Sequence, residues 1–158
     1  MAEVTIRRVH APAFAAECAA TCALFLEARR AMQPRLRDVH SDEETHRWMR
    51  ETVFPRHSVW LADATGEIVG FAARDGAWLA HLYVKPDWTG RGIGKQLLDV
   101  VLAETAAVTP VLRLHSFARN AGARRFYERH GFVAVASGDG SGNEDGEPDV
   151  RYERPTRG

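Results

Sequence analysis

The stretch HLYVKPDWTGRGIGKQLL, residues 81–98, constrains the fold of this chain more than any other part of the sequence. An apolar run typical of a strand stops at a proline, and a helical pattern begins near Ile93. Gly90, Gly92 and Gly94 lie between the two patterns. Glycines at a helix N-terminus either make a tight turn or let an anion approach unpaired backbone N–H groups. Both interpretations require a strand, a turn and a helix in this order.

Two common phosphate-binding motifs do not match this turn. A P-loop has Ser or Thr after its Gly-Lys pair, whereas Gln96 follows Gly94 and Lys95 here. The dinucleotide-binding fingerprint needs a parallel β-α-β unit, whereas this strand ends an antiparallel run. We therefore expect the turn to suit a pyrophosphate without a catalytic metal, with Arg91 and Lys95 adding positive charge.

Hydrophobic periodicity predicts one mixed α/β domain over residues 1–158. Period-two alternation predicts strands over 4–9, 58–63, 67–74, 77–84, 111–117, 132–136 and 150–154. Helical spacing predicts helices over 12–32, 41–52, 93–107 and 120–131. Turn signals at residues 65–66 and 75–76 join the strands from 58 to 84 into an antiparallel meander.

The overall charge argues against some classes of partner. The chain has 21 basic and 21 acidic residues, so the balance favours neither nucleic acid nor a membrane surface. No apolar run approaches the roughly 20 residues that cross a bilayer. The N-terminal residues lack a signal-peptide pattern, so we expect a cytoplasmic protein. Cys18 and Cys22, four apart on a helix, are interpreted as buried hydrophobic residues, and no metal is expected.

A second informative stretch, NAGARRFYERHGF, covers residues 120–132. At helical spacings of three and four, Asn120, Ala123, Tyr127 and His130 share one face. Tyr127 is either a core aromatic residue or a functional hydroxyl. With the glycine turn, this stretch resembles the GNAT superfamily of acyl-CoA-dependent N-acetyltransferases, which combines V-x-P, a G-x-G-x-G turn and N-x-x-A-x-x-x-Y-x-x-x-G-F.

This resemblance implies a fold, a co-substrate and a site. The implied fold is a single GNAT-like α/β (α+β) domain with a mixed, mostly antiparallel twisted sheet of about seven strands and about four helices. The implied co-substrate is acetyl-CoA. Its acetyl group and pantetheine arm would contact the backbone of Leu82, Tyr83 and Val84, and the pantetheine would also contact Asn120 and Ala123. Its pyrophosphate would lie on the turn made by Thr89, Gly90, Arg91, Gly92, Ile93, Gly94 and Lys95. The family usually has Gln or Arg at the first position of this turn, where this chain has Thr89.

The implied reaction is direct attack of a neutral amine on acetyl-CoA. Tyr127 would lie near the thioester sulfur and donate a proton to the departing thiolate. His81 is the candidate general base, because a histidine titrates near neutral pH. Glu27, His115 and a water chain are alternative proton acceptors.

The position of His81 on its strand leaves its role open. Strand alternation places Leu82 and Val84 on one face of the sheet and His81 and Tyr83 on the other. His81 is therefore either catalytic or satisfied on the far face, and a β-bulge would change this parity.

The loop SGDGSGNEDGEPD, residues 137–149, is acidic and long for a hairpin. It is either a mobile tip or part of the acceptor site, because an acceptor amine is cationic in solution. We hypothesise that Asn143 and Glu144 help to select a small cationic amine. A protein N-terminus or lysine as acceptor, a non-catalytic acyl-CoA-binding module, and a homodimeric assembly are left open.

Overall fold

The computed structural model describes residues 3–10, 15–32 and 36–158, and its centre is one seven-stranded sheet. In chain order the strands are β1 (Val4–Arg8), β2 (Ser58–Ala64), β3 (Glu67–Asp75), β4 (Trp78–Val84), β5 (Val111–Phe117), β6 (Val133–Gly138) and β7 (Asp149–Pro155). Their order across the sheet is β1-β2-β3-β4-β5-β7-β6. β4 and β5 run parallel, and the other neighbouring pairs are antiparallel. The seven predicted strands and the meander from β2 to β4 are confirmed.

Four helical segments flank this sheet. They are α1 (Ala15–Arg30), α2 (Asp42–Trp48, continued by a π-helical turn at Met49–Val53 and a short turn at Phe54–Arg56), α3 (Ile93–Thr105) and α4 (Ala121–Arg129). The predicted start of the first helix at residue 12 lies outside the described residues. Among the residues described, no helix combines the length and the apolarity that a membrane crossing requires.

The predicted capping box at the start of α2 is present. The Ser41 hydroxyl accepts a hydrogen bond from the Glu44 N–H at 3.1 Å, and Glu44 Oε1 accepts one from the Ser41 N–H at 2.8 Å. Each bond satisfies a backbone donor that the first helical turn would otherwise leave without a partner. The helix therefore begins where the sequence pattern indicated.

The sheet separates two hydrophobic cores. On one face, α3 and α4 pack with side chains such as Leu112 and Tyr152, which are fully buried. On the other face, α1 and α2 pack on Phe71. Cys18 and Cys22 belong to this second core as buried free thiols, which confirms their interpretation as small hydrophobic residues. Burying each large apolar side chain contributes roughly 1.5–3 kcal/mol.

β4 and β5 diverge soon after they meet. Their ladder consists of the pair Trp78 and Arg113. The register between β3 and β4 skips Ala80, which makes Ala80 the extra residue of a β-bulge. A bulge bends its strand and increases the local twist. Beyond the bulge, β4 therefore leaves β5, and a cleft opens between their C-terminal halves.

Gly70 sets how closely α3 approaches the sheet. A Cβ at this position would lie 3.1 Å from the Tyr83 carbonyl oxygen and 3.2 Å from Cδ1 of Leu97. It would also lie 3.3 Å from Cγ2 of Ile93. Because the first of these atoms belongs to the backbone of β4, a side chain at Gly70 would push both β4 and α3 away from β3.

We expect Gly70→Ala to lower the free energy of unfolding by about 1–3 kcal/mol, since overpacking a core costs this much. Gly122→Ala is the matched control, because its Cβ would meet only Asn120 Oδ1, at 3.9 Å. We expect this change to raise stability by roughly 0.5 kcal/mol through lost chain entropy in the unfolded state. Urea unfolding of both variants measures the difference, and equal effects would mean that Gly70 has no packing role.

Candidate active site

Backbone amides of β4 line the cleft between β4 and β5. The Lys85 N–H donates to the Val69 carbonyl of β3 at 2.8 Å. Hydrogen bonds alternate along an antiparallel strand, so the Tyr83 N–H also faces β3, and the N–H groups of Leu82 and Val84 face the cleft. The backbone predicted to contact an acyl group thus presents two donors where the neighbouring strand has moved away.

The glycine turn at the start of α3 leaves space for a ligand. Gly90 and Gly92 have φ of 77° and 81°, in the left-handed region that favours glycine, and a Cβ on either would meet no atom within 4 Å. The first hydrogen bond of the helix runs from the Gln96 N–H to the Gly92 carbonyl, so the three preceding amides point out of the helix end. These amides and the helix dipole suit an anion. Gly94 differs, because its Cβ would lie 3.3 Å from the Phe126 ring.

Side chains around the turn partly replace what the family pattern would supply. The Thr89 hydroxyl donates to the Pro86 carbonyl at 3.0 Å, which closes the turn without a long side chain. The Arg91 guanidinium lies 4.5 Å from the centre of the Trp88 ring. Lys95 pairs with Asp99 at 2.7 Å, so part of the expected positive charge is already neutralised.

Two cavities lie along this cleft, and residues of β4 and of α4 line both of them. The first, which we call the turn cleft, has a volume of about 660 Å³ and is lined by Val84, the glycine turn and Phe126. The second, the inner cavity, has a volume of about 670 Å³ and lies beside Leu82 and Tyr127. Since adjacent residues of β4 and of α4 line the two cavities, one extended ligand could occupy both.

Asn120 and Ala123 connect α4 to the inner cavity. Asn120 Oδ1 accepts a hydrogen bond from the Ala123 N–H at 3.1 Å, which caps the helix. Both residues also line the inner cavity. The sequence predicted a contact with an extended ligand, and the structure adds a structural role for the Asn120 side chain.

Tyr127 is a half-buried tyrosine that lines the inner cavity. Its ring packs edge-on against Phe126 and Phe132, with centroids 5.3 and 5.5 Å away. Burial, with a smaller effect of the nearby Tyr83, raises the pKa of Tyr127 above its ordinary value. Its phenol is therefore protonated at neutral pH and can donate a proton into the cavity.

His81 lies among aromatic side chains of the opposite core. Its ring centroid is 5.1 Å from that of Trp48 and 5.7 Å from that of Phe25. Burial, helped by electrostatic effects of the nearby His57 and Arg29, lowers the pKa of His81 to about 4. The predicted parity of β4 is kept, yet His81 still lines the inner cavity, because the splayed strand exposes its edge from both faces.

The alternative proton acceptors lie in different places. Glu27 lines a separate groove beside Lys85, away from the inner cavity. His115 lines the inner cavity but stacks on Trp78, with ring centroids 4.8 Å apart. The inner cavity thus brings His81 and Tyr127 together with Asn120 and His115.

Ion pairs hold the acidic loop between β6 and β7 over the inner cavity. Asp145 pairs with Arg29 of α1 at 3.0 Å, and both side chains are largely buried. Glu144 pairs with His40 at 3.0 Å. The Asn143 amide donates to the Glu147 carbonyl at 2.8 Å. The loop is therefore a wall of the site, which places Asn143 and Glu144 where the acceptor hypothesis needs them.

Sequence reasoning did not assign to the site several helix residues that line the inner cavity. Phe25, Arg29 and Trp48 line the inner cavity, although they were assigned only to helices α1 and α2. The partners Arg29 and Asp145 are 116 positions apart. A helical pattern indicates which residues face inward, but it does not tell which distant loop covers them.

The family of this chain is identified by its similarity to a known domain. A model of the acetyltransferase (GNAT) domain matches residues 55–134, which contain both the glycine turn and Tyr127. The chain belongs to the GNAT family. It is thus a member of a family of acyltransferase enzymes, and the predicted family and fold class are confirmed. GNAT enzymes use acetyl-CoA.

Individual relatives agree with this assignment. The peptidyl-lysine N-acetyltransferase YiaC of Escherichia coli is 31% identical over 88 residues, which is 55% of this chain and 58% of YiaC, less than two thirds of its length. The uncharacterised N-acetyltransferase YafP of Escherichia coli is 25% identical over 119 residues, which is 72% of this chain and 73% of YafP. The structure of yncA from Salmonella typhimurium with acetyl-CoA has a TM-score of 0.73 at 19% identity, covering 97% of this chain and 94% of that chain.

The low pKa of His81 predicts acid lability. The unfolded chain binds a proton near pH 6.5, whereas folded His81 binds one only near pH 4, so stability is lost as the pH falls through this window. We expect a loss of about 2 kcal/mol from this residue, allowing for its partial exposure. Unfolding by urea at several pH values should show a flatter profile for His81→Gln than for the natural protein. The same profile in both, with exposed His10→Gln as control, would contradict an uncharged His81 in the folded protein.

Proposed function

We propose that this GNAT protein moves an acetyl group from acetyl-CoA to a primary amine by direct attack, and that the acceptor is a small cationic metabolite. One observation carries the proposal. The cleft that opens beside β4 joins the anion cradle at Gly90 and Gly92 to an inner cavity lined by a phenol, Tyr127. This cavity is closed by a carboxylate-bearing loop. A long thioester with a pyrophosphate at one end fits such a path.

The residues of the turn fit the pyrophosphate of this co-substrate. A Cβ at Gly90 or Gly92 would occupy the open space where the phosphate oxygens would lie. The amides of Ile93, Gly94 and Lys95 precede the first helical hydrogen bond and would donate to those oxygens. When bound, acetyl-CoA supplies an acetyl thioester whose carbonyl carbon accepts the amine nitrogen while the carbon–sulfur bond breaks.

The chain's own groups then stabilise charge and move protons. The N–H groups of Leu82 and Val84 face the cleft and would hold the carbonyl oxygen as negative charge develops on it. Tyr127 would give its proton to the departing sulfur, which leaves as the thiol. The products are the acetylated amine, CoA and one proton. The ammonium loses its first proton, which ends on water, before the attack, and the second proton that leaves the nitrogen restores the phenol of Tyr127.

His81 is the proposed first acceptor of the amine proton. With a pKa of about 4 it is uncharged at neutral pH, so its lone pair is available. The same low pKa makes it a weak base, and it would pass the proton on to water rather than retain it. The role of His81 as acceptor remains a prediction, and so does the cytoplasmic location.

A second acceptor class is a lysine side chain of a protein. The similarity to a peptidyl-lysine N-acetyltransferase over 88 residues favours it. A lysine side chain is also a primary amine on an apolar stem, so the inner cavity does not discriminate against it. Activity toward free amines at millimolar concentration, compared with activity toward lysine peptides, separates the two classes.

The proposal is tested by incubating the protein with acetyl-CoA and a panel of amines and measuring the thiol that is released. Release should depend on the amine. We expect Tyr127→Phe to lower kcat by at least about tenfold, because a positioned acid contributes this much or more, and to change KM for acetyl-CoA little.

Tyr152→Phe is the control for loss of a buried hydroxyl. Tyr152 is fully buried outside the inner cavity and donates to Glu128 at 2.6 Å. This control should lose stability and keep its kcat. An unchanged kcat in Tyr127→Phe at every pH would remove Tyr127 from the reaction, and no amine-dependent thiol release would refute the proposed function.

We expect Gly92→Asn to raise the dissociation constant for acetyl-CoA by at least about tenfold, or ~1.4 kcal/mol. Asparagine tolerates the left-handed conformation, so its side chain should fill the cradle with little strain. Gly76→Asn is the matched control, because Gly76 has φ of 60° in a turn at the opposite end of β4. Calorimetric titration measures both, and equal dissociation constants would make the turn purely structural.

A further inference from the structure

A third cavity, which we call the outer cavity, extends from the inner cavity toward the surface. This outer cavity has a volume of about 420 Å³ and lies between α1, α2 and the β6–β7 loop. Both cavities are lined by Phe25, Arg29, Trp48, Glu144 and Asp145. They are therefore neighbouring parts of one path, with His81 and Tyr127 at its inner end.

Two aromatic rings and an ion pair line the passage between the two cavities. Phe25 and Trp48 contact each other with ring centroids 5.5 Å apart. The guanidinium of Arg29 lies 5.7 Å from the Phe25 ring centre and is neutralised by Asp145. A ligand that passes this point thus meets aromatic surface and a closed ion pair, which suits a hydrocarbon chain rather than a charged group.

The outer cavity carries an excess of negative charge. Its lining includes Asp38, Glu44, Glu51 and Glu144 together with Arg47 and His40, and Glu144 also lines the inner cavity. Glu44 accepts hydrogen bonds from Ser41, which lower its pKa, so it remains ionised. These bonds come from neutral donors and leave the negative charge of Glu44 available to a cation.

The positive groups of the outer cavity offset this charge only in part. His40 carries charge only when protonated, a state that the hydrogen bond to Glu144 favours by raising its pKa. Asp145 is paired with Arg29 and Asp38 with Arg30. The three remaining carboxylates outnumber Arg47 and His40, so the charge is negative whether or not His40 is protonated. Carboxylates near aromatic rings are the groups that bind an ammonium ion.

We propose that the outer cavity binds a second positive charge of the acceptor, so that the acceptor class is aliphatic diamines and polyamines. The reacting amine lies beside His81 and Tyr127, and the carbon chain lies along Phe25 and Trp48. The second ammonium lies among the carboxylates of the outer cavity. This assignment rests on the proposed acetyl transfer and adds a specificity site to it.

The test compares linear monoamines with α,ω-diamines of the same chain length, measured by thiol release from acetyl-CoA at low ionic strength. We expect the best diamine to have kcat/KM at least about tenfold above that of its monoamine, or ~1.4 kcal/mol. The advantage should shrink as salt is added, because the carboxylates are at a solvent-facing mouth.

Glu51→Gln isolates the outer cavity, since Glu51 lines that cavity and not the inner one. We expect this change to raise KM for the diamine about fivefold or more, or ~1 kcal/mol, and to leave kcat/KM for the monoamine unchanged. Glu43→Gln is the matched control, because exposed Glu43 belongs to the same helix and lines neither cavity. It should change neither constant.

Several outcomes would overturn the second-cation site while leaving acetyl transfer intact. They are equal kcat/KM for monoamine and diamine, equal effects of Glu51→Gln on both, or a preference for acceptors bearing a carboxylate. Calorimetric titration of the CoA-bound protein with the diamine separates failure of the site from failure of the reaction. Binding that Glu51→Gln weakens, without turnover of any amine, would support the site and refute the proposed function.

Discussion

The separation of β4 from β5 is the constraint on which the rest of the site depends. A continuous sheet would pair the amides of Leu82 and Val84 with the next strand and leave no donor for a ligand. The bulge at Ala80 bends β4 away after the single pair with Arg113, so these amides face a cleft instead. The glycine turn follows directly at the end of β4, and α4 covers the other side. One irregular residue thus aligns the anion cradle, the donors and the phenol along a single path.

Local patterns predicted the parts of this arrangement that depend on neighbours in sequence. The capping box at Ser41 and the glycine turn were both visible, because hydrogen bonds and backbone angles over a few residues determine them. The face that His81 occupies also followed from strand alternation. Strand alternation did not predict that His81 lines the inner cavity, because this access depends on the separation of β4 from β5. Lys95 differs from these residues. Its ion pair with Asp99 is local in sequence, but it competes with the predicted role of Lys95 in binding a pyrophosphate.

The acceptor side could not be derived from local patterns. Its wall is made by ion pairs between residues far apart, such as Arg29 with Asp145 and His40 with Glu144. The acidic loop was recognised as unusual, but its composition alone suits a solvated tip equally well. The loop becomes a wall because its carboxylates find partners on α1 and on the segment before α2. Such pairing depends on how the chain folds as a whole, and a single sequence gives no signal for it.

His81 and Tyr127, the two proposed proton-transfer groups of the inner cavity, are kept neutral by one physical cause acting in opposite directions. Burial disfavours the charged form of any group, so it raises the pKa of Tyr127 and lowers that of His81. At neutral pH the phenol therefore holds its proton and the imidazole lacks one, which is the state that a proton donor and a proton acceptor each need. In the outer cavity, hydrogen bonds from Ser41 lower the pKa of Glu44 and keep it ionised. The path thus runs from a mouth that attracts a cation to the uncharged pair His81 and Tyr127, beside which an amine is more easily deprotonated.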